Sequence, residues 1–235
     1  MIRLYDYWRS SAAYRVRIAL NLKHVAYESQ DVGLLEGIQR SPENLARNPQ
    51  GFVPTLEVDG QPITQSLAII DYLDALYPDP PMVPRDPLAR ARVLAQALVI
   101  TADVHPVNNL RILKRLESQF GADQAAKDEW YRHWIVEGFT ALEALAGPGP
   151  FLGGDAPNLA DLCLVPQMFN ARRFAVPLDA FPKLVAADAA SAAIPEIAAA
   201  HPDRARPAPV PEPGVDAASR YLDLFDAVVA AHHRS

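Results

Sequence analysis

The sequence predicts a mixed α/β layer of about 80 residues followed by an all-helical region. Three observations carry this. Strand and helix patterns alternate from Ile2 to Leu76. An Asp59-Gly60 pair lies between two short strand-like runs, and both central positions of a two-residue hairpin turn need the positive φ that such a pair tolerates. Beyond Tyr77-Pro78-Asp79-Pro80-Pro81 the strand signals almost vanish and helical periodicity takes over.

Taken in order, Ile2–Tyr7 reads as a strand and Ala13–Leu22 as a helix with Val16, Ile18, Ala19 and Leu22 on its apolar face. A second strand is expected within Val25–Asp31, and a brief helical piece at Asn44–Ala46 before Asn48-Pro49. Phe52–Val58 and Gln61–Thr64 form the hairpin. Pro54 heads its first strand, where a missing N–H is tolerated and a cis bond fits. Ser66–Leu76 follows as a helix with Leu67, Ile70 and Leu73 on one face. The order is βαβ and then ββα. The helical region carries its period over Leu88–Leu116, Asp123–Leu145, Leu159–Phe174 and Phe181–Ala200. Asn158-Leu-Ala-Asp161 has the form of an N-cap with an acid three residues on, a helix-starting device. His201–Gly214 is Pro-rich and expected to be irregular, and a last helix is expected at about 216–231. The domains expected are therefore 1–80 and 88–235.

A net charge of −6 leaves no basic stripe to neutralise phosphates, which argues against nucleic acid. The single cysteine, Cys163, allows no disulfide within the chain and lies in an apolar helical run as a core residue. No basic-then-apolar leader opens the sequence and no apolar run reaches membrane-spanning length, so a cytoplasmic location is expected. The histidines show no ligand spacing, so no metal is expected, and His232-His233 reads as solvated. Arg15 and Arg17 read as solvated or ion-paired.

The chemistry concentrates in the first 80 residues. Ser10 and Ser11, flanked by Arg9, sit where a strand turns into a helix. The first N–H groups of a helix lack partners and carry partial positive charge, so such a turn receives an anion such as a thiolate. No cysteine is near, so a thiolate there has to come from a cofactor. Val53-Pro54 and Gln65-Ser66 join this turn if the βαβ-ββα order holds. Together they offer helix starts, strand backbone and small hydroxyls, which suits a peptide-like anion. Each taken alone also reads as a cap or a turn.

These segments resemble the zeta class of the glutathione transferases. The resemblance rests on Arg9–Leu20, Asn48–Leu56, Gln65–Leu73, His105–Leu113, Ala160–Gln167 and Asn170–Phe174, and covers roughly residues 1–210. It implies a thioredoxin-like N-terminal domain, an all-α C-terminal domain, glutathione as cofactor and a homodimer. It implies glutathione-dependent cis–trans isomerisation of maleylacetoacetate, a step of phenylalanine and tyrosine catabolism. The thiolate adds to the double bond, rotation follows, and the thiolate leaves. Ser10 or Ser11 would donate to the sulfur, Val53 would pair with the cysteinyl backbone, and Gln65 and Ser66 would hold the γ-glutamyl end. Gln39, His105, Asn109 and Arg111 match positions near glutathione. Arg9, Arg173, Arg111 and Asn108 match positions for the substrate carboxylates, which the planar guanidinium fork grips. Maleylpyruvate is the alternative substrate. A transferase or dehalogenase of halogenated acids, and a non-catalytic glutathione-binding module, are the other readings. One departure stands out: the class motif often reads Ser-Ser-Cys, and here Ala12 holds the third place.

Overall fold

A computed structural model describes residues 1–206. Strand β1 (Ile2–Asp6) leads into helix α1 (Ser11–Leu22), and β2 (Glu28–Asp31) returns parallel to β1. After a short 3₁₀ turn and helix α2 (Pro42–Arg47) come β3 (Thr55–Val58), β4 (Gln61–Thr64) and helix α3 (Ser66–Leu76). The sheet order is β2-β1-β3-β4, with β3 antiparallel to both neighbours. This is the expected βαβ-ββα order. The hairpin turn is at Asp59-Gly60, with φ of 48° and 81°. The Val53-Pro54 bond is cis.

Expected boundaries shift by a few residues for local reasons. Helix α1 starts two residues early, at Ser11, because the Ser10 side chain accepts from the Ala13 N–H and caps it there. It is also buried almost all round rather than along one stripe: Arg15 and Arg17 are each 2% exposed. Neither is solvated. Arg17 is ion-paired, its NH1 lying 2.7 Å from Asp6 Oδ2, and it donates to the carbonyls of Trp8 and Ala200.

The helical region begins after a stretch without helix or strand, 77–86. Buried Lys23 ties that stretch down, its Nζ donating to Asp74 and to the carbonyls of Tyr77 and Pro80. The expected helix over Leu88–Leu116 is interrupted. Helix α4 (Pro87–Leu98) widens into a π turn over Val99–Val104, continues as α5 (His105–Val107), and breaks at Asn108 before α6 (Leu110–Phe120). Pro106 has no N–H to donate, so the ladder cannot run on unchanged. The His105 N–H bonds Ile100 O, five residues back. Helices α7 (Gln124–Leu145) and α8 (Leu159–Arg173) follow. Helix α8 starts with the expected capping box between Asn158 and Asp161. The expected Phe181–Ala200 helix is two, α9 (Pro182–Ala192) and α10 (Pro195–Ala199), because Pro195 restarts the ladder. The Pro-rich segment is not wholly irregular: Pro202–Ala205 forms α11. The rest of that segment, the helix expected at about 216–231 and His232-His233 lie outside the described residues.

Helix α1 packs between α3 on one side and α8 and α10 on the other. Its apolar residues share one core cluster with Leu4, Ile69, Leu73, Leu164 and Met168. This places the N-terminus of α1, at the end of β1, against the C-terminal half of α8.

Candidate active site

A cavity of about 940 Å³ opens where the starts of α1 and α3, the loop before β3, the π turn and the end of α8 meet. All twelve residues singled out in the sequence line it: Arg9, Ser10, Ser11, Gln39, Val53, Gln65, Ser66, His105, Asn108, Asn109, Arg111 and Arg173. Ala12 lines it as well, and Cys163 does not. Cys163 is fully buried, and burial pushes its thiol up to about 11. The cavity therefore has no protein thiol among its lining residues.

The two serines differ. Ser10 is the N-cap of α1, its oxygen taken by the Ala13 N–H at 3.2 Å. Ser11 is the first helical residue, 7% exposed, and its oxygen accepts from Asn170 Nδ2 at 2.7 Å. The other end of Asn170 settles the direction of that bond. Arg173 NH1 donates to Asn170 Oδ1 at 3.2 Å. A guanidinium can only donate, so the amide atom facing it must be oxygen. The atom facing Ser11 is then the amide nitrogen, Ser11 must accept, and its own hydrogen is free for the cavity. One buried side chain thus links an arginine of α8 to the hydroxyl at the start of α1.

Arg9 and Arg173 line the same cavity. Arg9 donates to the Tyr7 hydroxyl at 3.3 Å and lies 4.8 Å over the Trp8 ring. Arg173 sits over the rings of Phe169 and Phe174. It keeps much of its surface open to the cavity it lines. Its pKa is still held below the ordinary arginine value, first by the enclosing protein and then by the charge of Arg9. Arg111 lies 5.1 Å over the Phe52 ring on another wall. Among the described residues, no carboxylate lies within salt-bridge distance of Arg9, Arg111 or Arg173, so their charge is available to a ligand.

The loop before β3 is shaped by buried Asn48, which donates to Phe52 O and accepts from the Gln50 N–H. It delivers Val53 outside the strand ladder, which begins at Thr55. Gln65 has φ of 69° with a β-like ψ, a strained conformation for a non-glycine residue, and its side chain does not cap α3. Its Nε2 donates to Gln50 Oε1 at 2.7 Å. Ser66 begins α3 and is 6% exposed.

On the helical side, His105 keeps part of its surface open to the cavity, yet burial pushes its pKa down to about 3, with the Arg15 charge adding to the effect. It faces a ligand as a neutral ring. Asn109 caps α6 through the Arg111 N–H. Asn108 donates to Tyr131 O, and its buried Oδ1 has no partner. That atom and the Oε1 of Gln39 are buried acceptors without a partner.

Sequence reasoning left out Tyr7, Arg15, Gln50 and Asn170. Arg15 was visible only as one basic residue inside a helix, and Asn170 only as part of a motif. Nothing in the sequence states that Asn170 reaches a serine 159 positions away.

The family model of the glutathione S-transferase N-terminal domain matches residues 4–81. A maleylacetoacetate isomerase of Rhizobium meliloti (strain 1021) is 51% identical over 207 residues, which cover 87% of this chain and 97% of the relative. The holo structure of a maleylpyruvate isomerase, described as a bacterial glutathione S-transferase of the zeta class, is 44% identical with a TM-score of 0.84, covering 86% of this chain and 97% of its own. A maleylacetoacetate isomerase of Anaeromyxobacter dehalogenans 2CP-1, with bound dicarboxyethyl glutathione and citrate, is 41% identical with a TM-score of 0.78, covering 90% and 98%.

Proposed function

The chain belongs to the zeta class of the glutathione transferases, and from that premise we propose that it isomerises maleylacetoacetate to fumarylacetoacetate with glutathione as its cofactor. The observation that carries this reading is the Arg173–Asn170–Ser11 chain of hydrogen bonds, which connects a cationic wall to a hydroxyl with a free hydrogen. Glutathione suits the cavity: Arg9, Arg111 and Arg173 line it with no carboxylate partner among the described residues, and they call for the carboxylates of a ligand. When bound, it supplies a thiolate that adds reversibly to the double bond of a maleyl acid and so permits rotation.

The chain's own residues do the rest. Ser11 donates its hydrogen to the sulfur, beside the N–H groups that open α1, and so favours the ionised form. Val53 offers free backbone to the cysteinyl unit, while Gln65 and Ser66 hold the γ-glutamyl end. Arg9 and Arg173 grip the diacid, and with Arg111 they take up charge that develops on the carbonyl oxygen. Ala12 offers no thiol, so the only thiol in this scheme is the cofactor's. A cytoplasmic homodimer working in phenylalanine and tyrosine breakdown belongs to the same reading. No helix of the described residues is long and apolar enough to cross a membrane.

Maleylpyruvate is the second candidate substrate, favoured by the zeta-class neighbour that isomerises it. The same arginines serve either diacid. Dehalogenation through thiol exchange is disfavoured, since Ala12 stands in the place of a thiol and Cys163 is buried. A passive binding module has no use for both Arg9 and Arg173 in one cavity.

The test is absorbance-monitored isomerisation of maleylacetoacetate and maleylpyruvate, each with and without glutathione. Conversion that requires glutathione and returns it unchanged is expected, faster with maleylacetoacetate. Tight glutathione binding without conversion of either acid would defeat the isomerase reading. Light scattering should show a dimer at micromolar concentration, and a stable monomer would refute that part.

A further inference from the structure

The cavity carries charge of one sign. Its cationic side chains are Arg9, Arg15, Arg40, Arg111, Lys114 and Arg173, and no aspartate or glutamate is among its lining residues. The chain as a whole has a net charge of −6. An approaching dianion is therefore repelled by the molecule as a whole and attracted at one opening. Two of these cations, Arg40 and Lys114, have no task in the reaction scheme.

Both stand at the mouth. Arg40, Arg111 and Lys114 are exposed, whereas Ser11 and Ser66 deeper in the cavity are 7% and 6% exposed. Arg111 and Lys114 are three residues apart on α6 and so share one face. Arg40 ends the 3₁₀ turn Ile38–Arg40 before α2 and reaches the same place from the other domain. Its guanidinium lies 5.9 Å from the Phe52 ring centre, and that of Arg111 lies 5.1 Å from the same ring. Arg40 is held there rather than left to wander. It lies along Gly51, where a Cβ would come within 2.9 Å of its NH1, and Asn44 donates to the neighbouring Gln39 carbonyl.

Among the described residues, no carboxylate lies within salt-bridge distance of Arg40 or Lys114. Acids of the adjoining segments have other places: Glu36 lies against Gly33, and Glu117 pairs with Lys127. Cations gathered at one rim without an acid repel one another, and that repulsion is relieved when an anion passes between them.

We propose that Arg40 and Lys114 form, beside Arg111, a cationic mouth that captures the dianionic acceptor by its charge and speeds its entry, without touching the reacting atoms. The proposal rests on the isomerase reading above. It makes the rate of capture depend on the charge of the acceptor and on salt, while turnover of the filled site depends on neither residue.

The test compares wild type with Arg40→Glu/Lys114→Glu and with the milder Arg40→Gln/Lys114→Gln. Two acceptors are used at saturating glutathione: maleylacetoacetate, a dianion, and maleylacetone, which has the same double bond and one carboxylate fewer. For the dianion, the glutamate pair should lower kcat/KM by about 10- to 100-fold at low ionic strength. The loss should shrink to within about threefold at about 0.5 M salt, where the screening length is only a few ångströms. For the monoanion the low-salt loss should be about 3- to 10-fold, since the interaction scales with ligand charge. The glutamine pair should fall between wild type and the glutamate pair. In all of them kcat at saturation and the melting temperature should stay near wild type. No loss at low salt, a loss that persists at high salt, an equal loss for both acceptors or a matching fall in kcat would overturn the proposal. Wild type that converts neither acceptor would defeat the isomerase reading itself, and this role with it.

Discussion

Replacing Asn170 by aspartate changes one atom's chemistry and almost nothing of its shape, and the structure says it should be the more damaging of two substitutions. In the native chain Asn170 Nδ2 donates to Ser11 Oγ at 2.7 Å, so Ser11 keeps its hydrogen for a bound sulfur. A carboxylate oxygen at that place accepts instead. The Ser11 hydrogen then turns to the carboxylate, in one of the stronger kinds of hydrogen bond. A donor to a charged partner is worth about 1.5–3 kcal/mol, so losing it raises the bound thiol by about one to two pKa units. The new charge also repels the thiolate. At about 6 Å and an effective dielectric near 20 the repulsion is about 3 kcal/mol, reduced by Arg173, which is bonded to the same side chain. Asn170→Ala, by contrast, removes the bond to Ser11 and the bond from Arg173, but it leaves Ser11 free to donate, and the neutral bond lost at the serine is worth about 0.5–1.5 kcal/mol. The assay is the pH titration of thiolate absorbance for bound glutathione, with the pH dependence of kcat beside it. Asn170→Asp should lower turnover at neutral pH at least about tenfold more than Asn170→Ala, and recover as pH rises. Its melting temperature should stay near that of wild type, since Arg173 pairs with the new carboxylate. An aspartate variant milder than the alanine variant would refute the reasoning.

The serines should separate in the same assays. Ser11→Ala should raise the bound thiol pKa and lower turnover by about 10- to 100-fold with little loss of stability, while Ser10→Ala should cost about 1 kcal/mol of stability through the lost cap. Full activity in both would remove the serine–thiolate contact from the mechanism. Asp161→Ala should destabilise by about 2–4 kcal/mol in denaturant melts with activity of the folded fraction intact, because its carboxylate accepts from the buried N–H groups of Leu152 and Asn158. Acid stability should depend on His105, whose folded pKa of about 3 lies below its unfolded value. Between the two values the unfolded chain takes up a proton that the folded chain refuses, so stability falls as pH drops through that window, by at most about 1.4 kcal/mol per unit. His105→Gln should flatten the slope, and an unchanged slope would place the titrating group elsewhere.

The readable parts of the chain were those whose signals are local. Asp59-Gly60, the start of α8 at Asn158 and the helix Ser66–Leu76 depend on residues within a few positions of one another, and each forms where its pattern predicts. The long helical periods were legible and their interruptions were not. Pro106 and Pro195 change which carbonyl an N–H can reach, and the periodicity of side chains does not report that. Helix α1 misled in another way. Its arginines read as solvated or ion-paired, but packing from α3, α8 and α10 buries both and leaves one guanidinium paired with a carboxylate and the other not.

The sequence by itself determined the βαβ-ββα order, and the resemblance it carries pointed to twelve residues that are among those lining the cavity; seven of them belong to the first 80 residues, where the topology brings the ends of strands and helices to one edge of the sheet. Tertiary structure decided what each of them can do. Which serine keeps a free hydrogen follows from an amide fixed by Arg173 and held across 159 residues. That Arg15 carries an unpaired charge follows from burial with no acid beside it. Hydrogen-bond direction and counter-charge are properties of neighbours in space, and a chain's neighbours in space are settled only when it folds.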